Sequence, residues 1–465
     1  MASSKGKVGG SPTEASPLKG GDGAVEERLD GFAAGTALFV SMVGAGCVNM
    51  PFIYKTAGFW LGNLSLAASS LLAWVSMVSL SFATAGGRCS SYDQLCAKST
   101  SGSLKALMEM CLVLFLSGAV AAYIIITANV VDSLLSTFLG ASACPSPVVL
   151  FGLIALLMFP ISLPRSFDKM KFVNQFCFVS LLLVAAIIVI KSASLDKEAV
   201  DRAEASGGSG EASELPEKSA DGIFGSFLAF VLTLPATSGS MNCHMNVPSV
   251  FAEMKRTVKP SAPLIFVATS VAGILFYAVV GLVPFFALGD RTEEDILKQL
   301  ASISLQMPGV KERGFDVLIT AAQVLLGASL ILKAPLLFFC LRSLLLTYVH
   351  QISRDLAPSP LIAEANLKSN ILVTFLCVFW CFCMAAMVPN LFLVITITGA
   401  VAGTMMMYIG PGLFSFRLER EEGALLGGGK SSGGEFRSTV WRATFLTVGG
   451  TAMGVLSLLA VAFSD

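Results

Sequence analysis

Charged residues are scarce in this chain. Only 13% of its 465 residues are charged, whereas 54% are hydrophobic, and the mean hydropathy is +0.76. Because soluble domains carry about 25% charged residues, this composition excludes a soluble enzyme. The 31 basic residues balance the 31 acidic residues, so no net charge is available to attract a nucleic acid. The composition predicts a polytopic membrane protein whose surroundings are a lipid bilayer.

Histidine is almost absent, and His244 and His350 are the two that occur. Two histidines rule out a histidine-rich metal site and most catalytic triads. We therefore expect no metal, no cofactor and no enzymatic activity. The eleven cysteines fall mostly inside apolar runs, where a thiol behaves as a small hydrophobic group. Cys144 alone falls in a predicted outer loop, so we expect no disulfide framework.

Long apolar runs make up most of the remaining sequence. A helix needs about 20 residues to cross a bilayer. Eleven runs approach or exceed this length, at 31–54, 58–84, 104–136, 146–163, 171–190, 222–249, 261–288, 315–349, 370–388, 390–409 and 440–463. Residues 1–30 are hydrophilic and predict a disordered tail. The predicted fold is all-α, with 11 transmembrane helices in one transporter domain, residues 31–463.

The distribution of basic residues predicts the orientation in the membrane. A cytosolic N-terminus places 21 lysines and arginines inside and 9 outside, as the positive-inside rule requires. Eleven crossings then put the C-terminus on the external or lumenal side. Residues 191–221 become an acidic external loop and residues 410–439 a cytosolic glycine-rich loop. A plasma membrane and a vacuolar or lysosomal membrane both fit this arrangement.

Glycine and proline interrupt two of the predicted spans. The first span contains Gly44, Gly46 and Pro51, and the sixth contains Pro235 and Gly239. Irregular backbone at membrane depth must be satisfied by protein or by a water-filled cavity, and paired interruptions are typical of transporters with inverted repeats. Half-helix ends offer N–H groups to an anion and C=O groups to a cation. An amino acid carries both charges, so the pattern indicates an amino acid site.

Four groups of motifs occur in order along the chain. They are residues 41–51 followed by Ala57-Gly58, residues 91–95, residues 242–248 with 251–254, and residues 398–404 with 409–413. This ordered set resembles the amino acid/auxin permease family of secondary transporters. The resemblance implies a LeuT-like fold with a 5+5 inverted repeat, interrupted helices 1 and 6, and an accessory helix 11. The repeats would be residues 31–190 and 222–409, and helix 11 residues 440–463.

The resemblance also implies transport of amino acids by alternating access, and it implies the residues of the substrate site. Those facing the substrate carboxylate would be Val43, Gly44, Ala45 and Gly46. Those in the unwound part of the sixth helix, facing the amino group and side chain, would be Gly239, Ser240, Met241 and Asn242. Tyr123 on the third span would line or gate the cavity, although a purely packed aromatic fits equally well.

Val40 and Lys333 depart from the family pattern. Sodium-coupled members of the family carry a side-chain amide at the position of Val40 and a hydroxyl at the position of Lys333. Valine cannot ligate sodium, and a lysine ammonium can take a cation's place. We therefore expect sodium-independent transport, with Lys333 bracing the first and eighth helices. The alternative is that Lys333, nine residues before Arg342, snorkels toward the inner interface.

Several functional questions stay open at this level. Proton coupling through Lys333, exchange and facilitated transport all fit, and His244 is a further candidate for a proton relay. The predicted cavity contains no carboxylate that would select a cationic substrate, so the sequence favours neutral or aromatic substrates. The alternative functions are an amino acid sensor with little flux and a sodium-coupled symporter.

Overall fold

The computed structural model describes residues 29–44, 46–87, 89–140, 144–163, 170–205, 223–307, 310, 315–356, 367–425 and 433–462. The predicted disordered tail, up to residue 28, lies outside these residues. Eight described helices are long and apolar enough to cross a membrane, and two shorter apolar helices, Gly31–Met42 and Pro147–Ile161, accompany them. The fold is thus that of a helical membrane protein, while the total of eleven spans and the 5+5 repeat stay predictions.

The described helices are named here in chain order. They are α1 (Gly31–Met42), α2 (Gly46–Gly87), α3 (Tyr92–Ser99), α4 (Gly102–Leu139), α5 (Pro147–Ile161), α6 (Met170–Ala193), α7 (Lys197–Ala205), α8 (Ile223–Ser240), α9 (Val247–Glu253), α10 (Ala262–Leu288), α11 (Ile296–Ser304), α12 (Val317–Leu356), α13 (Leu367–Met387), α14 (Leu391–Thr398), α15 (Gly410–Leu425) and α16 (Gly433–Ala462). In the bundle α2 packs against α8 and α10, and α12 packs against α4 and α6.

The first predicted span consists of a short helix and the start of a long one. Asp30 caps α1, because its Oδ1 accepts a hydrogen bond of 2.8 Å from the N–H of Ala33. The helix ends at Met42 and α2 begins at Gly46, so the chain is interrupted where the two glycines predict it. The first and second predicted spans, which end at residue 54 and begin at residue 58, are separated at Gly58. Its backbone is not helical, and its φ of +75° strongly favours glycine.

The sixth predicted span is interrupted later than the sequence indicates. Pro235 lies inside α8, which continues to Ser240, and α9 begins only at Val247. Gly239 and Ser240 are therefore helical, and the irregular stretch is 241–246. Neighbouring helices allow a proline inside a membrane helix. The backbone at Gly399 packs directly against Pro235, since a Cβ on Gly399 would lie 3.1 Å from the carbonyl carbon of Pro235.

The tenth predicted span is longer than expected. Asn390 caps α14 by accepting from the N–H of Leu393 at 2.7 Å. Two π-helical segments, Gly399–Gly403 and Met405–Ile409, then lead into α15. The predicted end at residue 409 is wrong, and α15 and α16 occupy most of the predicted glycine-rich loop. Gly410 serves packing rather than a turn, since a Cβ there would lie 2.5 Å from Oη of Tyr92.

The predicted acidic loop at 191–221 is partly helical. The helix α6 continues to Ala193, and α7 follows at Lys197–Ala205. A second short helix, α11, packs against α7. Arg291, just before α11, donates from Nη1 to Oδ1 of Asp201 on α7 at 2.6 Å. The first part of the loop is therefore an ordered cap, while residues 206–222 lie outside the described residues.

Candidate functional site

A cavity of about 90 Å³ lies where the two interrupted helices meet. Its walls come from α1, α2, α4, α8, α12 and α14, and none of the described lining side chains is charged. They are Ser41, Met42, Gly44, Gly46, Phe115, Gly118, Ala119, Ala122, Tyr123, Gly239, Ser240, Asn242, Cys243, Met245, Leu337, Ile395, Thr398 and Gly399.

Six of the predicted substrate residues line this cavity, namely Gly44, Gly46, Tyr123, Gly239, Ser240 and Asn242. Val43 and Met241 are fully buried next to it and are not part of its lining. Ala45 lies outside the described residues. Residues from three distant parts of the sequence thus line the same cavity.

The two helix breaks touch each other at Gly46 and Ser240. A Cβ on Gly46 would lie 2.8 Å from the Cβ of Ser240, closer than real Cβ contacts come. Gly46 therefore lets the start of α2 approach the end of α8. Tyr123 lies next to the same break, because a Cβ on Gly44 would be 3.1 Å from its hydroxyl oxygen. The first N–H groups of a helix have no intrahelical acceptor, so the start of α2 and Tyr123 together offer donors to an anion.

Lys333 on α12 reaches the end of α1. Its Nζ donates to the carbonyl oxygen of Val40 at 2.9 Å and to that of Val43 at 2.7 Å. The lysine is 7% exposed. Snorkelling toward the interface is therefore wrong, because the ammonium points at α1. Carbonyl groups at a helix C-terminus carry partial negative charge, and Lys333 satisfies two of them with charge-assisted hydrogen bonds.

Tyr277 on α10 is a residue that sequence reasoning missed. Its hydroxyl lies 3.1 Å from the carbonyl oxygen of Met42 and 3.0 Å from that of Ser240. One buried phenol thus joins the end of α1 to the end of α8. One tyrosine in an apolar helix gives no sequence signal of such a role, since the two acceptors are backbone atoms.

Asn242 and His244 lie in the irregular stretch after α8. Oδ1 of Asn242 accepts from the backbone N–H of His244 at 3.0 Å, and Nδ1 of the His244 ring lies 3.2 Å from the same oxygen. The other ring nitrogen is 3.3 Å from the carbonyl oxygen of Ala73. His244 is fully buried and does not line the cavity. Nδ2 of Asn242 is buried and has no hydrogen-bond partner among the described residues.

Three asparagines from different helices converge on the segment before α11. Asn49 donates to the carbonyl oxygen of Glu294 at 3.3 Å, and Asn390 donates to its Oε1 at 2.6 Å. Asn129 donates to Oδ2 of Asp295 at 3.2 Å. These bonds hold the cap of α7 and α11 on the bundle. Their partners lie far away along the chain and were not predicted from the sequence.

Glu293, in the same segment, has an unusual acidity. Burial raises the pKa of its carboxyl group from the ordinary value of 4.5 to about 7, and nearby Lys298 counteracts this effect. Asp295 next to it adds a further upward contribution and Lys55 a downward one. The cap therefore contains a group that titrates near neutral pH.

Comparison with known proteins identifies similar sequences. The family model described as transmembrane amino acid transporter protein matches residues 32–427. Relatives include amino acid transporter AVT6E of Arabidopsis thaliana, 22% identical and covering 83% of this chain and 76% of its own length. Human solute carrier family 38 member 8 is 23% identical, with coverages of 83% and 84%. Sodium-coupled neutral amino acid transporter 7 of Rattus norvegicus is 22% identical, with coverages of 80% and 75%.

The fold is also that of a solved transporter. The crystal structure of MhsT in complex with L-phenylalanine superposes with a TM-score of 0.57, and the match covers 94% of this chain and 99% of that one. The sequences are 14% identical, so this similarity shows the LeuT-like fold alone.

Proposed function

Since the chain belongs to the transmembrane amino acid transporter protein family, we propose that it moves neutral amino acids across a membrane by alternating access without sodium. The contact of Lys333 with Val40 and Val43 carries this proposal. In transporters of this architecture, half-helix carbonyl groups bind the coupling cation. Here the ammonium of the chain's own lysine occupies the two carbonyl groups, so the brace between α12 and α1 needs no added ion.

Protons are the candidate coupling ion under this proposal. A protonated Lys333 holds the end of α1 through charge-assisted bonds. Loss of a proton removes the charge and weakens the hold, which would free α1 to move. Exchange or facilitated transport requires no such step, and Lys333 would then be a permanent brace. The proposed orientation keeps the N-terminus in the cytosol and the C-terminus outside or in a lumen.

The lining of the cavity supports a neutral substrate. The start of α2 offers N–H groups to a carboxylate, and the described lining contains no acidic side chain that would select a cationic substrate. Phe115, Gly118 and Ala119 of α4 give the side-chain part of the cavity an apolar wall.

Uptake into proteoliposomes tests the proposal. Purified protein would be reconstituted and given a radiolabelled mixture of amino acids, with sodium and proton gradients imposed in separate experiments. We expect uptake in the absence of sodium, and acceleration by an inward proton gradient would show proton coupling. Uptake that requires sodium would overturn the role given to Lys333 and favour the sodium-coupled symporter. The rat relative is named as a sodium-coupled transporter. Binding without flux would favour a sensor.

A further inference from the structure

Residues 292–298 of the cap, called the latch segment here, connect three helices beyond the cavity. Asn49 of α2, Asn129 of α4 and Asn390 before α14 each donate a hydrogen bond to this segment. In the described structure no residue of the segment lines the cavity. The latch segment therefore ties α2, α4 and α14 together outside the substrate site. The proposed orientation places this side of the protein outside the cell or in a lumen.

The geometry of the helices shows how far the latch segment lies from the cavity. Asn129 follows the lining residue Tyr123 by six positions on α4, which corresponds to about 9 Å along the helix axis. On the same side of the cavity, Phe52 of α2 packs edge to face on Phe392 of α14, with ring centroids 5.3 Å apart. The helices are therefore in contact on this side, and the latch segment lies across them.

Two lysines add to the contacts of the latch segment. Lys55 on α2 donates to the carbonyl oxygen of Thr292 at 3.0 Å, and Nζ of Lys298 lies 3.2 Å from Oδ2 of Asp132 on α4. Partly exposed contacts of this kind are individually weak, so the segment can separate from the helices reversibly. Opening a path to the cavity from this side requires that separation.

Glu293 differs from its neighbours Glu294 and Asp295, because its carboxyl group accepts no hydrogen bond from the described residues. The residue lines a small crevice between α7 and α11, together with Arg291 and Gln299, and its backbone N–H donates to Oε1 of Gln299 at 3.0 Å. Burial raises the pKa of its carboxyl group to about 7. The closed cap therefore favours the protonated form of this group.

The charged groups around Glu293 come from every element packed against the cap. Asp295 raises the pKa of Glu293 further, whereas Lys298 and Lys55 lower it. None of the surrounding groups is a histidine, so the carboxyl groups of the latch segment are those that respond to mild acid. The other charged groups are Asp290 and Glu294 beside Lys55, Arg291 paired with Asp201 of α7, Asp132 of α4 paired with Lys298, and Lys191 of α6 paired with Asp316 before α12.

We propose that Glu293 is a proton sensor for the latch segment, so that acid on the outer side keeps the cap closed over the substrate site and a higher pH lets it open. Ionised Glu293 is disfavoured where it is half-buried in the closed cap, and it is hydrated once the cap lifts. The closed state therefore binds the proton more tightly, and acid shifts the population toward it. This inference rests on the proposed function, because it assumes alternating access.

Cys47 at the start of α2 is a native reporter for the opening of the cap. Its thiol is 1% exposed and lies within electrostatic range of Asp295 in the latch segment. A bulky hydrophilic maleimide, added to purified protein in detergent, should label this thiol only when the cap lifts. Mass spectrometry of the labelled peptides distinguishes Cys47 from the other cysteines. The ratio of labelling rates in wild type and Glu293→Gln, taken at each pH, cancels the effect of pH on the thiol itself.

Glu293→Gln imitates the protonated form, so its cap should stay closed at every pH. We expect the ratio of the wild-type labelling rate to that of Glu293→Gln to rise at least about 10-fold from about pH 5 to about pH 8. Asn390→Asp keeps an oxygen for the N–H of Leu393 and places a carboxylate against Glu294, so Cys47 should be labelled faster than in the wild type at the higher pH. Glu198→Gln, on the exposed surface of α7, is the control and should follow the wild type.

Two results would overturn the inference. A labelling ratio that does not change with pH would reject Glu293 as the sensor, and labelling of Asn390→Asp at the wild-type rate would reject the latch. Labelling needs no flux, so its outcome is separate from that of the proposed function. A pH-dependent ratio in a protein without amino acid uptake would support the latch and reject transport, whereas uptake with a constant ratio would do the reverse.

Discussion

The Nζ atom of Lys333 lies 2.7 Å from the carbonyl oxygen of Val43, so a charge on α12 closes the end of α1. Tyr277 on α10 joins the end of α1 to the end of α8, because its hydroxyl bridges the carbonyl groups of Met42 and Ser240. Backbone groups at a helix break would be costly in a membrane without partners. The two side chains provide those partners from α10 and α12, and the interrupted helices are thereby tied to the uninterrupted ones.

Removing the ammonium of Lys333 should impair both stability and transport. Lys333→Met leaves the buried carbonyl groups of Val40 and Val43 without a donor, at about 1–3 kcal/mol each. Lys333→Thr leaves a hydroxyl too short to reach both. We expect a lower melting temperature in detergent for Lys333→Met, and in both variants a loss of any dependence of uptake on a proton gradient. Lys255→Met is the control, because Lys255 is exposed. Unchanged uptake and pH dependence in both Lys333 variants would falsify the brace.

The hydroxyl of Tyr277 should set the affinity for substrate. Tyr277→Phe keeps the ring and removes the link between the ends of α1 and α8, whose residues Met42 and Ser240 both line the cavity. We expect KM to rise about 5-fold or more, since one hydrogen bond contributes about 1 kcal/mol. Tyr92→Phe is matched, because Tyr92 also donates to a buried carbonyl, that of Met406 at 3.0 Å. Equal KM values for the two variants would contradict a positioning role.

A side chain at Gly46 should separate the two helix breaks. Gly46→Ala forces its methyl group against Ser240, and overpacking of this kind costs about 1–3 kcal/mol. Uptake should fall strongly, and a second change, Ser240→Gly, should restore part of it by removing the clashing atoms. Gly449→Ala on α16 is the control, because a Cβ there meets nothing within 4 Å. Uptake assays of the four proteins check this, and a lack of rescue would mean that Gly46 serves another purpose.

Glu293 should make stability depend on pH. Its pKa in the folded protein, about 7, lies above the ordinary value of 4.5, so the folded state holds this proton more tightly than the unfolded state. Its contribution to stability is therefore fully present below about pH 4.5 and is lost as the pH rises through 7. We expect the melting temperature of the wild type, relative to that of Glu293→Gln, to fall across this range. Asp295, Lys298 and Lys55 face the group in both proteins, so the difference isolates Glu293. A constant difference would contradict the shift.

The sequence predicted the membrane class and the positions of both helix breaks to within a few residues. Apolar runs of bilayer length and glycine-rich interruptions are local signals, and each is visible within one segment. The boundary errors have a common physical cause. Pro235 and Gly410 are helix breakers in water, but close neighbours in the bundle keep them helical, and no local pattern shows those neighbours.

In the candidate site too, some features were visible in the sequence and others only in the structure. Lys333 is recognisable from the sequence, because a lone charge within an apolar span is a functional candidate by default. Its partners are not, since Val40 lies 293 residues away and offers a backbone atom that every residue has. Tertiary structure likewise decided the bridge made by Tyr277 and the partners of the three asparagines before α11. It also left Nδ2 of Asn242 without a partner among the described residues. The sequence by itself determined which segments can span the membrane and near which residues two of those helices are interrupted. Only packing decided which donor meets which acceptor, because hydrogen-bond partners are fixed by distance in space and not by position along the chain.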